Sequence, residues 1–110
     1  SIGTVHLKQG DFPRALEHLQ RALAKFKAAG ASETPDAAGC LISIGTVHLK
    51  QGDFPRALEH LQRALAKFEA AGASETPDAA ACLSSIGTVH LKQGDFPRAL
   101  EHLQRALAKF

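Results

Sequence analysis

Six histidines and two cysteines are the residues of this 110-residue chain best suited to chemistry. Imidazoles can ligate a metal or carry protons, and a thiolate served by a nearby base is a nucleophile. The spacing speaks against each use. His6, His48 and His90 recur at intervals of 42 residues, too far apart to share a metal whose bonds to nitrogen are about 2 Å. His48 falls in the middle of an apolar helical face and is expected to be a packed, neutral ring. His60 flanks another apolar stripe beside Arg56, Arg63 and Lys67 and is expected to be partly exposed, without a role. Cys40 and Cys82 hold equivalent places in successive units. Stacked helices lie about 8–10 Å apart, whereas a disulfide needs Cα atoms within about 7 Å. Two reduced, buried thiols are expected, in a reducing and therefore cytoplasmic setting. Serine and cysteine occur without a base at a usable spacing, and no glycine-rich phosphate loop follows a strand. The chain is expected not to be an enzyme and to hold no metal or cofactor.

These residues belong to a repeat. Ser1–Phe26 recurs without change at Ser43–Phe68 and at Ser85–Phe110, separated by two 16-residue spacers. A fixed 42-residue period marks a solenoid whose units stack only on their neighbours. Residues 1–110 read as one array with units starting at 1, 43 and 85, the last incomplete. The spacers differ only at Lys27/Glu69, Gly39/Ala81 and Ile42/Ser84. Exposed positions such as Gln62 and Lys67 match in every copy although packing does not require it, so the copies are expected to come from recent duplication or from design; each spacer difference is a one-nucleotide change, which favours duplication. Without an initiator Met, and with a first copy that starts mid-pattern, the chain is expected to be part of a longer protein.

Composition narrows the function classes. Hydrophobic residues make up 45%, enough for a core, and they fall in periodic stripes with no run that could cross a bilayer. Thirteen basic and eleven acidic residues are interspersed for a net charge of +2, too balanced for a nucleic-acid or membrane footprint. Tyr and Trp are absent, so two of the side chains on which single-stranded bases stack are missing.

The elements that position the chemistry are helices. Phe54, Ala57, Leu58, Leu61, Ala64, Leu65 and Phe68 recur at spacings of three and four, an amphipathic stripe. Arg56, Glu59, Gln62, Arg63 and Lys67 take the other side, with Glu59 and Arg63 placed for an i,i+4 pair. Asp53 is a good N-cap, Pro55 suits the first turn, and Gly72 suits the C-terminal cap. The preceding helix starts at Pro35 behind Thr34 and stops at Gly52. Ala37, Leu41, Ile44, Gly45 and His48 share one face, flanked by Cys40 and Val47 on one side and by Ile42 and Leu49 on the other. Such a helix needs neighbours on several sides, as the inner helix of a stacked pair has. The two-residue connection Gly52-Asp53 makes the pair antiparallel. Helices are expected over Phe12–Ala29, Pro35–Gln51, Phe54–Ala71, Pro77–Gln93 and Phe96–Phe110, with no strand.

Leu41, Ile44-Gly45, His48, Gly52-Asp53-Phe54, Ala57, Leu61 and Ala64 together resemble the tetratricopeptide repeat. Ile86-Gly87, His90, Gly94-Asp95-Phe96, Ala99, Leu103 and Ala106 repeat the pattern. The 42-residue spacing and the Thr-Pro-Asp before the inner helix are similar to the longer repeats of kinesin light chains. The resemblance implies an all-α, right-handed superhelical solenoid of antiparallel helix pairs. It further implies a protein-binding scaffold whose inner helices line a concave groove. His48 stands where the family usually has an aromatic. Thr46 and Thr88, and Ile42-Ser43 and Ser84-Ser85, replace residues by which relatives are distinguished, so neither known ligand class carries over.

With the packed stripe assigned inward, the groove set is Gly39, Ile42, Thr46, Leu49 and Lys50, then Ala81, Ser84, Thr88, Leu91 and Lys92. Thr4, Leu7 and Lys8 begin the row. Two of the three spacer differences fall in this set. Leu for apolar contact, Thr for hydrogen bonds and a row of Lys suit an extended acidic-apolar peptide; the alternative is that the Lys side chains only solvate the rim. A rival of another class is a structural spacer or an array that assembles end to end. Phe96, Leu100, Leu103, Leu107 and Phe110 lack a following helix, and Ile2, Val5 and His6 lack a preceding one. Those two faces could join head to tail in an open, heterologous contact.

Overall fold

The computed structural model describes residues 11–108, and all of its regular structure is helical. Five helices follow in order: α1 Phe12–Ala28, α2 Pro35–Lys50, α3 Phe54–Ala70, α4 Pro77–Lys92 and α5 Phe96–Ala108. Within the described residues each boundary lies within one residue of the sequence expectation, and the expected end of α5 at Phe110 is not among them. The end face expected at Ile2, Val5 and His6 also lies outside the described residues.

Local chemistry sets the helix ends. The Asp53 carboxylate accepts from the Arg56 amide at 3.4 Å, and Asp11 and Asp95 do the same for Arg14 and Arg98 at 3.3 Å. Thr34 Oγ1 accepts from the Ala37 amide at 3.3 Å and donates back to the Ala31 carbonyl at 2.7 Å. Thr76 repeats this pair of bonds. α3 closes with the Ala73 amide on the Phe68 carbonyl (2.8 Å) and the Gly72 amide on the Glu69 carbonyl (3.1 Å). That pair of hydrogen bonds needs a left-handed residue between helix and linker, and Gly72 supplies it at φ 69°. Gly52 ends α2 in the same way at φ 79°, so the chain reverses into α3 after a short turn.

The core alternates between inner and outer helices. Leu41, Leu61, Phe68, Cys82, Ile86 and Val89 join one buried cluster across α2, α3 and α4. Ile44 and Val47 of α2 face α1 instead, where they meet Ala15 and Leu19. An inner helix thus packs against two outer helices and is buried over most of its circumference. Burial of each such side chain contributes roughly 1.5–3 kcal/mol. Ala38 is fully buried as well, a position the stripe assignment omits. α2 and α3 approach so closely that a Cβ on Gly45 would stand 2.8 Å from Leu61 Cγ, and Gly87 has the same relation to Leu103.

Two surface expectations are corrected. Lys67 is half-buried rather than on the solvent side, because its ammonium reaches Glu33 of the α1–α2 linker at 2.9 Å. The i,i+4 pair forms at Glu17–Arg21 (3.4 Å) and, among the described residues, not at Glu59–Arg63. Instead Arg56 turns back toward the cap, 3.5 Å from Asp53.

Candidate peptide-binding surface

The inner helices α2 and α4 bring Thr46, Leu49, Lys50 and Lys92 to one cavity of about 550 Å³. Gly52 and Phe54 complete its lining. From sequence Gly52 was read as the turn between helices, and Phe54 as part of that turn and of the outer-helix stripe. The Gly-Asp-aromatic signature marks the turn itself, and only the stacking of α4 shows that the turn also edges a cavity. Of the remaining expected groove residues, Gly39, Ile42, Ser84 and Thr88 are half-buried and Ala81 and Leu91 are exposed. None of the six lines this cavity. Ile42 packs against the core, as Leu49 and Phe54 also do. Space at Gly39 is open around a hypothetical Cβ, which explains how Ala81 fits the same place one repeat later. Thr4, Leu7 and Lys8 lie outside the described residues.

The threonines differ chemically from the expectation. Thr46 Oγ1 donates to the Ile42 carbonyl at 2.9 Å, and Thr88 donates to the Ser84 carbonyl at 3.0 Å. With the proton committed to the helix backbone, each hydroxyl offers a ligand only acceptor lone pairs. The lysines keep their donors. Lys50 and Lys92 are exposed and, among the described residues, make no ion pair within 4 Å. The cavity therefore presents two cations from successive repeats, an apolar wall of Leu49 and Phe54, and a hydroxyl acceptor.

Among the described residues two histidine pairs form, each within one repeat. His48 is 7% exposed and its ring lies 5.2 Å from that of His60; His90 and His102 are likewise 5.2 Å apart. His60 Nδ1–H donates to the Arg56 carbonyl at 2.8 Å. Nδ1 of His48 is buried without a partner. Burial, and then the neighbouring His60 and Arg56 charges, push the His48 pKa below its ordinary value, against an opposing pull from Asp53. His48 is thus held neutral. Among the described residues no group of three or more His, Cys, Asp or Glu side chains is placed to hold a metal ion.

Both thiols are free, but they are not equivalent. Cys82 is fully buried, donates to the Leu61 carbonyl at 3.1 Å, and has its pKa pushed up by burial to about 12. Cys40, expected to be buried, is only half-buried. Cys82 shares its cluster with Ala38 and Leu41 of the preceding inner helix, and among the described residues no inner helix stands one period before α2 to do the same for Cys40. No helix among the described residues is long and apolar enough to cross a membrane.

No curated protein matches the chain in sequence. In fold, it is similar to the crystal structure of nearly identical TPR-like repeats assigned to a kinesin light chain of Podosopora anserina. That match has a TM-score of 0.84 at 20% identity, and covers 98% of this chain and 51% of the other. A single-substitution form of that protein matches with a TM-score of 0.83 at the same identity and coverage. The chain therefore spans about half the length of these structures, and at this identity the likeness shows the fold alone. The sequence model of the tetratricopeptide repeat matches residues 1–70 and again residues 41–110, so every residue is covered at least once. The chain belongs to the tetratricopeptide repeat family.

Proposed function

We propose that the chain is an interaction scaffold which holds an extended, acidic-apolar peptide segment of a partner protein along its inner helices. Tetratricopeptide repeats generally mediate protein–protein interactions and are a non-enzymatic scaffold type. One observation carries the reading: Lys50 and Lys92, each without an ion-pair partner among the described residues, frame a cavity walled by Leu49 and Phe54. Carboxylates of the peptide would meet the two ammonium groups. An apolar side chain would sit between them, and Thr46 would accept from a peptide amide. The free thiols fit a reducing, cytoplasmic setting.

Fluorescence anisotropy with a labelled peptide that alternates Asp/Glu with Leu tests the site. Lys50→Glu combined with Lys92→Glu is expected to weaken binding by about tenfold or more while helicity is unchanged. High salt should weaken binding too, because exposed charges are screened beyond about 8–10 Å. Equal affinity for both proteins would move the ligand to another surface.

A second reading, end-to-end assembly, is favoured by the last helix pair. Leu91, Phe96, Leu100, Leu103 and Leu107 are 49%, 63%, 57%, 37% and 73% exposed. One repeat earlier, beside α4, Leu61 is buried and Leu49, Phe54, Leu58 and Leu65 are half-buried. Sedimentation velocity is expected to show larger species as concentration rises from low to high micromolar, and a clean monomer throughout would end this reading.

A further inference from the structure

The outer helices carry a cleft that shares no residue with the inner-helix cavity. Between α1 and α3 an opening of about 380 Å³ is lined by Leu23 and Ala24 and by three cations, Lys27, Arg63 and Lys67. It exists because α2 packs against both α1 and α3 and holds them apart on this side. Leu23 is half-buried and Ala24 exposed, so the lining offers an apolar patch beneath the charges.

The charges are unbalanced. Glu33 of the linker sits 2.9 Å from the Lys67 ammonium, one carboxylate against three cations. Lys27 and Arg63 make no ion pair within 4 Å among the described residues. The protein's own Glu33 thus shows which chemistry this rim accepts, a carboxylate brought to it by a peptide segment. It satisfies only one of the cations. The next unit is different: Glu69 stands where the first unit has Lys27. Successive units therefore offer opposite charges at this place, and the excess of positive charge belongs to the first outer cleft.

We propose that the cleft between α1 and α3 is a second docking site. It takes an acidic peptide segment of a partner protein, with carboxylates on Lys27 and Arg63 and an apolar side chain on Leu23 and Ala24. Charge complementarity sets its preference. An Arg beside a Lys can hold two neighbouring carboxylates, the Arg through a paired contact. The site does not depend on the inner-helix cavity, because the two are lined by different residues and different cations.

The test is a titration of acetyl-Glu-Glu-Leu-Glu-Glu-amide into the ¹⁵N-labelled chain, followed by amide shifts. Shifts are expected at Leu23, Ala24, Lys27 and Arg63. Lys27→Glu with Arg63→Gln should weaken them by about fivefold or more. Lys27→Glu only installs the residue type that the second unit already carries at Glu69, so the fold is expected to tolerate it. Lys50→Glu with Lys92→Glu should leave the cleft shifts unaltered. Shifts confined to Leu49, Phe54 and Lys92 would overturn the cleft while supporting the inner-helix cavity. Shifts at the cleft that survive Lys27→Glu with Arg63→Gln would overturn it as well. Inorganic phosphate producing the same shifts at the same concentration would show a general oxyanion site and overturn the peptide assignment.

Discussion

Leu61 and Leu103 occupy the same place in identical 26-residue segments, yet Leu61 is fully buried and Leu103 is 37% exposed. The contacts made inside a unit do not differ. The gap from Gly45 to Leu61 equals that from Gly87 to Leu103, and both histidine pairs stand 5.2 Å apart. What differs is the neighbour. α4 lies over the outer side of α3, whereas no described helix lies over α5. In a solenoid, then, a residue's place within the unit sets its partners inside the pair, and the next unit sets how much of it reaches water.

The largest expected effect tests this contrast directly. Leu61→Ala removes a buried side chain from between three helices and should cost about 2–5 kcal/mol. Leu103→Ala should cost about 1–2 kcal/mol, because its side chain already reaches solvent. Urea denaturation of the two variants measures both. Equal costs would mean that stacking adds nothing to what the helix pair provides.

A smaller effect asks whether the neighbour also sets rigidity. Gly45→Ala places a methyl 2.8 Å from Leu61 Cγ and 3.2 Å from the Ala57 carbonyl oxygen. Overpacking of this kind costs roughly 1–3 kcal/mol, against a helix-propensity gain of at most about 1 kcal/mol. Leu61 has no room to turn away, so the variant should be destabilised. At Gly87→Ala, Leu103 can swing toward solvent, which leaves the 3.2 Å contact with the Ala99 carbonyl oxygen, so the cost should be smaller. A lower urea midpoint for Gly45→Ala than for Gly87→Ala checks it, and an equal fall in both would break the contrast.

The smallest effect concerns contacts internal to a unit. The folded pKa of His48 lies below its ordinary value of 6.5, so the unfolded chain binds this proton more readily. Its contribution to stability is complete above about pH 6.5 and is lost as the pH falls through about 6.5 toward the folded value. His48→Phe, which restores an aromatic ring without a titrating group, should flatten the fall in urea midpoint between about pH 7.5 and pH 5. An unchanged slope would show that the fall comes from other groups.

Much of the fold was legible before any coordinate. Asp53, Pro55 and Gly72 bracket α3, and Thr34, Pro35 and Gly52 bracket α2. These signals are local, since a cap or a left-handed glycine acts on amides within a turn of itself. The stripe from Ala57 to Phe68 was equally plain, because a helical period survives in any window long enough to show it. The site was less so. Thr46, Leu49, Lys50 and Lys92 could be placed on one side of the inner helices by periodicity. Gly52 and Phe54 could not, because their role depends on where the next helix crosses. Nor could Thr46's proton be assigned, since a side chain that bonds back to its own helix leaves no mark in spacing.

The sequence by itself determined the helices, their caps, the antiparallel pairing and the 42-residue period, all of which rest on interactions between residues near in the chain. Tertiary structure decided what depends on distant ones. Lys67 and Glu33 meet across 34 positions. Cys82 is sealed while Cys40 is not, and identical leucines divide between core and solvent. The physical reason is the same in each case. Periodicity fixes the direction of a side chain on its helix, but burial and charge pairing require a second surface, and in this array that surface belongs to another unit.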